Sequence, residues 1–315
     1  MAQKRLTGHS SVQELIAKSS NKKHKKMIEK IIPIILLLIA SVSVLTTFGI
    51  VFTLIVETGI FFSRVRITDF LFGTEWFPFA NTEQLFGILP LIAGTLKVTL
   101  IAIIVAVPFG IASAVFLSEY ASDNTRRIIK PILEVLAGIP TIVYGFFALT
   151  FVTPLLQQII PGLKIFNALS PGIVVGIMIL PMIASLSEDA MSSVPKSIRE
   201  GALAMGSTKL EVALKVVLPA ALSGIIASVV LAISRAIGET MIVSLAGGST
   251  PKFDFNVTDS IQTMTAYIVQ VSSGDAGYGT TIYYSIYSVG FTLFIFTLLM
   301  NFIAHVISKK YREEY

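Results

Sequence analysis

The chain is 315 residues long, 54% hydrophobic and 14% charged, with a mean hydropathy of +0.80. Soluble domains carry about 25% charged residues, so this composition describes an integral membrane protein and excludes an ordinary soluble fold. The net charge of +5 is accompanied by no cysteine at all, which excludes disulfides, thiolate metal sites and cysteine nucleophiles.

Residues 1–30 form a basic tail, too long for the basic region of a cleavable signal, and no small-residue cleavage site follows it. The apolar run from Ile31 to Phe62 contains one ionisable group, Glu57, and can cross a bilayer core about 30 Å thick with tilt to spare. Residues 63–84 are expected to be an external loop. Further spans are expected within Leu85–Leu117, Pro131–Ile160, Pro171–Leu186, Ala221–Ala246 and Ile282–Ile307, and residues 308–315 close the chain as a short tail. The expected fold is all-α, a polytopic membrane protein of six transmembrane helices. Residues 85–307 supply a core of five helices, to which the first is an addition.

The distribution of Lys and Arg orients these spans. Lys4, Arg5, Lys18, Lys22, Lys23, Lys25, Lys26 and Lys30 precede the first. Arg126, Arg127 and Lys130, then Lys196, Arg199, Lys209 and Lys215, and finally Lys309, Lys310 and Arg312 fall on the same side, against only Arg64, Arg66, Lys164 and Lys252 on the other. Both termini are therefore expected in the cytoplasm. The same placement explains the isoelectric point of 9.3 by topology and anionic lipid, leaving no case for nucleic acid as a partner.

Between the fourth and fifth spans, Glu200 to Pro219 (EGALAMGSTKLEVALKVVLP) is a polar island on the expected cytoplasmic side. Residues 196–205 read as a short helix, Gly206 permits a sharp bend, and Ser207 is the expected N-cap of a second helix. That helix carries Leu210, Val212, Ala213, Leu214 and Val217 toward the membrane. A simple connector would be shorter. The nearest approach to a P-loop, Gly201 to Lys209, has Ser207 where a phosphate-binding Lys must follow the second Gly, so any ATP is hydrolysed by another chain. His9, His24 and His305 are too scattered for a metal site, and no G-x-S-x-G elbow is present. The chain is not expected to be an enzyme.

Arg235 and Glu239 lie four apart within the fifth span, on the same helical face. An Arg at such depth costs about 2.5–3.5 kcal/mol and should face a cavity or a partner. Two accounts stand: the pair neutralises itself, or it forms a way-station for an anion. In the second, Arg supplies a planar fork for a tetrahedral oxyanion, and Glu accepts the proton that phosphate carries near pH 7 and sulfate lacks. Lys97 lies either at mid-membrane depth, serving the anion with Thr95 and Thr99, or near the outer surface, where it can snorkel. Glu134, Glu188 and Asp189 are expected near cytoplasmic ends in solvated or loop-orienting roles.

The spacing Glu200-Gly201-Ala202, Gly206, Val216 and Leu218-Pro219 resembles the EAA loop of binding-protein-dependent ABC importer permeases, here spanning 192–220. Gly94-Thr95-Leu96, Leu117-Ser118-Glu119-Tyr120, Ala137-Gly138-Ile139-Pro140 and Tyr144-Gly145-Phe146 are further segments. With Ser187-Glu188-Asp189-Ala190 and Arg235-Ala236-Ile237-Gly238-Glu239-Thr240-Met241, they are similar to the PstC family of phosphate-importer permeases over roughly residues 89–248. The resemblance implies an ABC type I importer permease (MetI-like) core in a bacterial cytoplasmic membrane. It further implies a homologous second permease (PstA-like), an ATPase dimer (PstB-like) that binds ATP and Mg, and an external phosphate-binding protein (PstS-like). The chain itself then needs no cofactor. Glu200, Gly201, Ala202, Met205, Gly206, Leu218 and Pro219 become the ATPase-coupling residues, and the outer segments Gly247–Gly279 and Arg64–Glu83 the place where the binding protein docks. A permease for sulfate, molybdate or another solute is the alternative within transport; an ion-gradient-driven carrier or a membrane scaffold is the alternative outside this class.

Overall fold

A computed structural model describes residues 22–81 and 83–310, so residues 1–21 and 311–315 of the expected tails lie outside it. Contacts divide the chain after Leu54 into two compact units. The first, from Lys22 to Leu54, is uninterrupted helix and contributes most of α1 (Lys22–Phe62). Its large apolar side chains from Ile31 to Phe52 are exposed, as expected of a helix whose hydrophobic face is not confined to one stripe.

The second unit begins with the end of α1 and continues through α2 (Ile67–Phe72) and an antiparallel two-stranded hairpin, β1 (Trp76–Phe77) and β2 (Leu85–Phe86), with Trp76 opposite Phe86. Then come α3 (Leu89–Val115, closing in a π turn at Phe116–Tyr120), α4 (Asp123–Ala137), α5 (Thr141–Phe147) and α6 (Thr153–Ile159), these last two joined by a π turn. They are followed by α7 (Leu169–Ser192), α8 (Lys196–Ala204) and α9 (Lys209–Val212, prolonged by a π turn and Leu218–Ala220). The chain ends with α10 (Leu222–Ile237), α11 (Met241–Ala246), α12 (Met264–Gln270) and α13 (Thr281–Lys310).

Among the described residues five helices are long and apolar enough to cross a membrane: Glu29–Phe62, Leu89–Tyr120, Thr141–Ile159, Leu169–Ser192 and Thr281–Ile303. Lys209–Ala220 and Leu222–Ile237, bent by 72°, make a sixth when counted together. The third and fifth spans differ from expectation. Pro131 to Ala137 belong not to the third span but to α4, a separate amphipathic helix capped by Ser122, whose hydroxyl accepts from the Thr125 N–H at 3.2 Å. Gly138-Ile139-Pro140 then breaks the chain, because proline cannot continue a helix and disfavours the helical region for its predecessor. The fifth span is broken as well. Its first part, α10, has 16 residues, about 24 Å, and Gly238-Glu239-Thr240 separates it from α11.

The centre of the bundle is the α3–α7 pair, with Val98, Ala102 and Ala106 facing Val174, Val175, Met178, Ile179 and Ile183, and with Ala232 and Ala236 of α10 completing the cluster. Small residues allow the close approach that helix association in lipid relies on. A Cβ on Gly176 would stand 2.9 Å from the Ala102 carbonyl oxygen, and one on Gly110 would strike Ile183. At one end of the bundle an aromatic cap of Phe61, Phe70, Trp76, Phe86 and Tyr267 packs edge to face, Trp76 and Tyr267 at 4.8 Å between centroids. The segment Gly247–Gly279 is more than a surface loop: Thr263 caps α12, which buries Met264 and Tyr267 in this cap.

Candidate functional site

At the opposite end, the polar island folds as an elbow. Helix α8 ends at Met205, and Gly206 takes φ +89°, a left-handed conformation that costs glycine least. The Ser207 N–H returns to the Ala202 carbonyl at 3.2 Å and the Gly206 N–H to that of Leu203 at 3.0 Å, the two bonds of a Schellman stop. The N-cap of α9 is Thr208 rather than Ser207, because only Thr208 has a glutamate three residues on. Its hydroxyl accepts from the Glu211 N–H, while the Glu211 carboxylate accepts from the Thr208 N–H at 3.0 Å. The sequence pattern T-x-x-E held this signal.

The elbow has two faces. Val212, Ala213 and Val217 are buried, and Val212 and Val217 pack with Ala114 of α3, Met191 of α7 and Ile225 of α10, with Ile198, Ala202 and Leu218 against the same cluster. Leu210 and Leu214, expected to point the same way, are exposed instead. Glu200, Gly201, Leu203, Gly206 and Pro219 are exposed too, and Met205 at the tip is 87% exposed. A ridge of exposed apolar side chains on an otherwise polar turn is the form of a helix-in-groove contact.

Charged side chains hold the elbow to the bundle. Arg199 of α8 donates to Glu119 in the π turn of α3 and to the carbonyls of Met191 and Val194 at the end of α7. Glu188 is fully buried, not solvated, and is met by Arg126 and by Lys130 at 2.5 Å, both from α4, while the Ser192 hydroxyl donates to it at 2.8 Å. Lys130 also pairs with Asp189. Glu134 is exposed. The ion pairs of Arg199 with Glu119 and of Arg126 and Lys130 with Glu188 join residues far apart in sequence, and spacing along the chain does not reveal them.

Arg235 and Glu239 do not form an ion pair. Arg235 lies in the last turn of α10 and is exposed; its guanidinium touches Met178 Sδ at 4.0 Å and meets no carboxylate among the described residues. Glu239 lies beyond the Gly238 stop, so the two do not share a continuous helical face. Its buried carboxylate accepts the Ile242 N–H at 3.2 Å, and its own carbonyl accepts the Thr265 hydroxyl.

Lys97 is tied down from outside. Counted from Leu89 it is about 12 Å along α3, 8% exposed, and its ammonium meets Asp254 at 2.5 Å and the Asn256 carbonyl at 3.3 Å. The Gly247–Gly279 segment thus supplies both of these partners of the lysine. Thr95 donates to the Leu91 carbonyl and accepts from the Met264 N–H, and Thr99 donates to the Thr95 carbonyl, so these hydroxyls serve the backbone. Further along the loop, Asp259 bridges Lys252 at 2.7 Å and Lys164 at 3.0 Å. The Lys252 ammonium, and after it Lys164, hold its carboxyl below the usual carboxylate range.

Helices long and apolar enough to cross a membrane, with an exposed elbow at one end of the bundle, define a polytopic membrane protein. The family model described as "Binding-protein-dependent transport system inner membrane component" matches residues 106–313, and the chain belongs to that family. It is 36% identical over 240 residues to the probable ABC transporter permease protein YqgH of Bacillus subtilis, covering 75% of this chain and 77% of that one. It is 34% identical over 263 residues to the phosphate transport system permease protein PstC of Xylella fastidiosa, covering 77% and 79%. PstC of Mesorhizobium japonicum is 36% identical over 255 residues, covering 75% and 76%. Among solved structures, a chain of the bacterial alginate ABC transporter in complex with an alginate pentasaccharide-bound periplasmic protein shares the fold at a TM-score of 0.60 and 15% identity, covering 87% of this chain and 94% of that one. A chain of the inward-facing MetNI methionine ABC transporter does so at 0.53 and 19%, covering 72% and 95%. The protein is thus a permease component of an ABC importer, with a MetI-type helical core and an additional N-terminal helix.

Proposed function

We propose that the chain is the permease subunit of an ATP-driven inorganic phosphate importer in the bacterial cytoplasmic membrane, with both termini and the elbow on the cytoplasmic side. It forms the path with a second, related permease. Helix α8 and its stop, presenting Glu200, Gly201, Met205 and Gly206, dock into an ATPase dimer that binds ATP and Mg, while Ala202 seats the helix on the bundle and Leu218-Pro219 sets the return into the membrane. An external phosphate-binding protein delivers the anion to the face built from residues 63–81 and the Gly247–Gly279 segment.

One observation carries this reading: Arg235 is exposed on an apolar helix and has no acidic partner among the described residues. A charge at that depth is costly, and Glu239 does not neutralise it, so it is available to an anion crossing the subunit boundary. Phosphate as the cargo is supported by the relatives from Xylella and Mesorhizobium, which are phosphate transport system permeases. Arg235 supplies the fork for the tetrahedral anion and Glu239, fixed at the helix break, the acceptor for its proton. Lys97 and Thr95 shape the outer mouth by holding its loop, Thr99 bonds within its own helix, and all three leave the anion to Arg235. Arg235→Gln should lower phosphate uptake per assembled complex about 10- to 100-fold, the equivalent of one charged hydrogen bond. Uptake at the parental rate would remove Arg235 from the path.

A further inference from the structure

We infer that Arg199 is the positioning residue that carries motion from the docking helix into the membrane bundle, acting through Glu119 and the end of α7; this rests on the proposed docking of an ATPase at α8. Its guanidinium sends Nε to Glu119 Oε1 at 3.2 Å, Nη1 to the Val194 carbonyl at 2.7 Å and Nη2 to the Met191 carbonyl at 2.6 Å. Glu119 and Met191 belong to the ends of two spans, α3 and α7, and Val194 to the short link between α7 and α8, while the donor belongs to neither span. Arg199 is 17% exposed and Glu119 11%, so the contact lies beneath the elbow, away from the exposed ridge around Met205.

The apolar cluster under the elbow resists separation, but burial is non-directional and does not by itself fix how α8 is turned or slid against the spans. A planar fork with three engaged donors does. Two features make the receiving side stiff. Glu119 also accepts from the Ser118 hydroxyl at 2.9 Å. The end of α7 is held from its other flank by Arg126 and Lys130 on the buried Glu188. A displacement of α8 therefore moves α3 and α7 together, and these are the two helices that form the centre of the bundle. Lysine keeps the charge but cannot address three acceptors arranged around one plane.

The test uses the full complex in vesicles, with both permeases, the ATPase and phosphate-loaded binding protein, and reads phosphate taken up per ATP hydrolysed. Arg199→Lys and Glu119→Gln should retain a bound, hydrolysing ATPase, while the ratio falls about tenfold, within the range of coupling between sites. If Arg199 merely stabilises the elbow, less complex assembles and the ratio stays at the parental value; that result overturns the inference. Should Arg199→Lys fail to assemble, Glu119→Gln decides, because it leaves both carbonyl bonds in place. A parental complex that does not couple ATP hydrolysis to uptake overturns the proposed function and this inference with it. A coupled parent and an equally coupled variant overturn the inference alone.

Discussion

Single ionisable residues in this protein differ chiefly in whether the fold supplies their partner. Lys97 and Asp254 make an asymmetric pair, the lysine 8% and the aspartate 39% exposed. Asp254→Asn strands a buried cation and should destabilise the protein by about 1–3 kcal/mol, between the values of exposed and fully buried pairs. Lys97→Met leaves a half-exposed carboxylate that water can solvate, and should cost less. Thermal unfolding of the two variants in detergent checks the order; a larger loss for Lys97→Met would mean that the lysine's role is not to receive the outer loop. At Arg235, residue type announced a charge within an apolar helix, and that much was legible in the sequence. Its pairing was not, because an i, i+4 spacing implies neighbours only while the helix continues, and Gly238 ends it between them.

The elbow is the element in which local sequence rules act most completely. Gly206, Thr208 and Glu211 specify a stop, a turn and a restart within a few residues. The location of this element was legible from its polarity, its length and its central glycine, whereas the choice of Thr208 over Ser207 needed the glutamate three residues on. The two glycines of the elbow should respond in opposite senses. Gly201 is helical, exposed and has nothing near a new Cβ, so Gly201→Ala should be neutral or stabilise α8 by about 0.5–1 kcal/mol. Gly206→Val forces a β-branched residue to positive φ, a strain of about 1–3 kcal/mol, and should turn the Met205 ridge away from its groove. Affinity purification of the permease should recover the parental amount of ATPase with Gly201→Ala and little with Gly206→Val. Full recovery with Gly206→Val would show that the bend is not what presents α8. Helix α4 shows the limit of element-level reasoning: its residues 131–137 carry enough apolar character to merge with the next span in a hydropathy profile, and only the Gly138-Ile139-Pro140 break, with the partners of Arg126 and Lys130 on α7, separates it.

For the whole molecule, composition and the periodic recurrence of long apolar segments were enough to give an all-helical membrane bundle, since few other folds satisfy the backbone in lipid. Tertiary features were less legible. The aromatic cap around Trp76, the buried α12 and the convergence of Glu119, Glu188 and Arg199 all join residues distant in sequence, and no local pattern marks them. Together they describe a second unit with a loop-strapped cap at one end, a central α3–α7 pair packed through small residues, and an elbow pinned to that pair at the other. Such a unit suits transmission of a push at the elbow to the proposed path beside Arg235. The most direct measurement is uptake of radiolabelled phosphate into vesicles containing this chain with its second permease and ATPase, fed by external binding protein. The account predicts uptake that requires ATP and persists in excess sulfate. Uptake driven by an ion gradient without ATP, or abolished by sulfate, would contradict it.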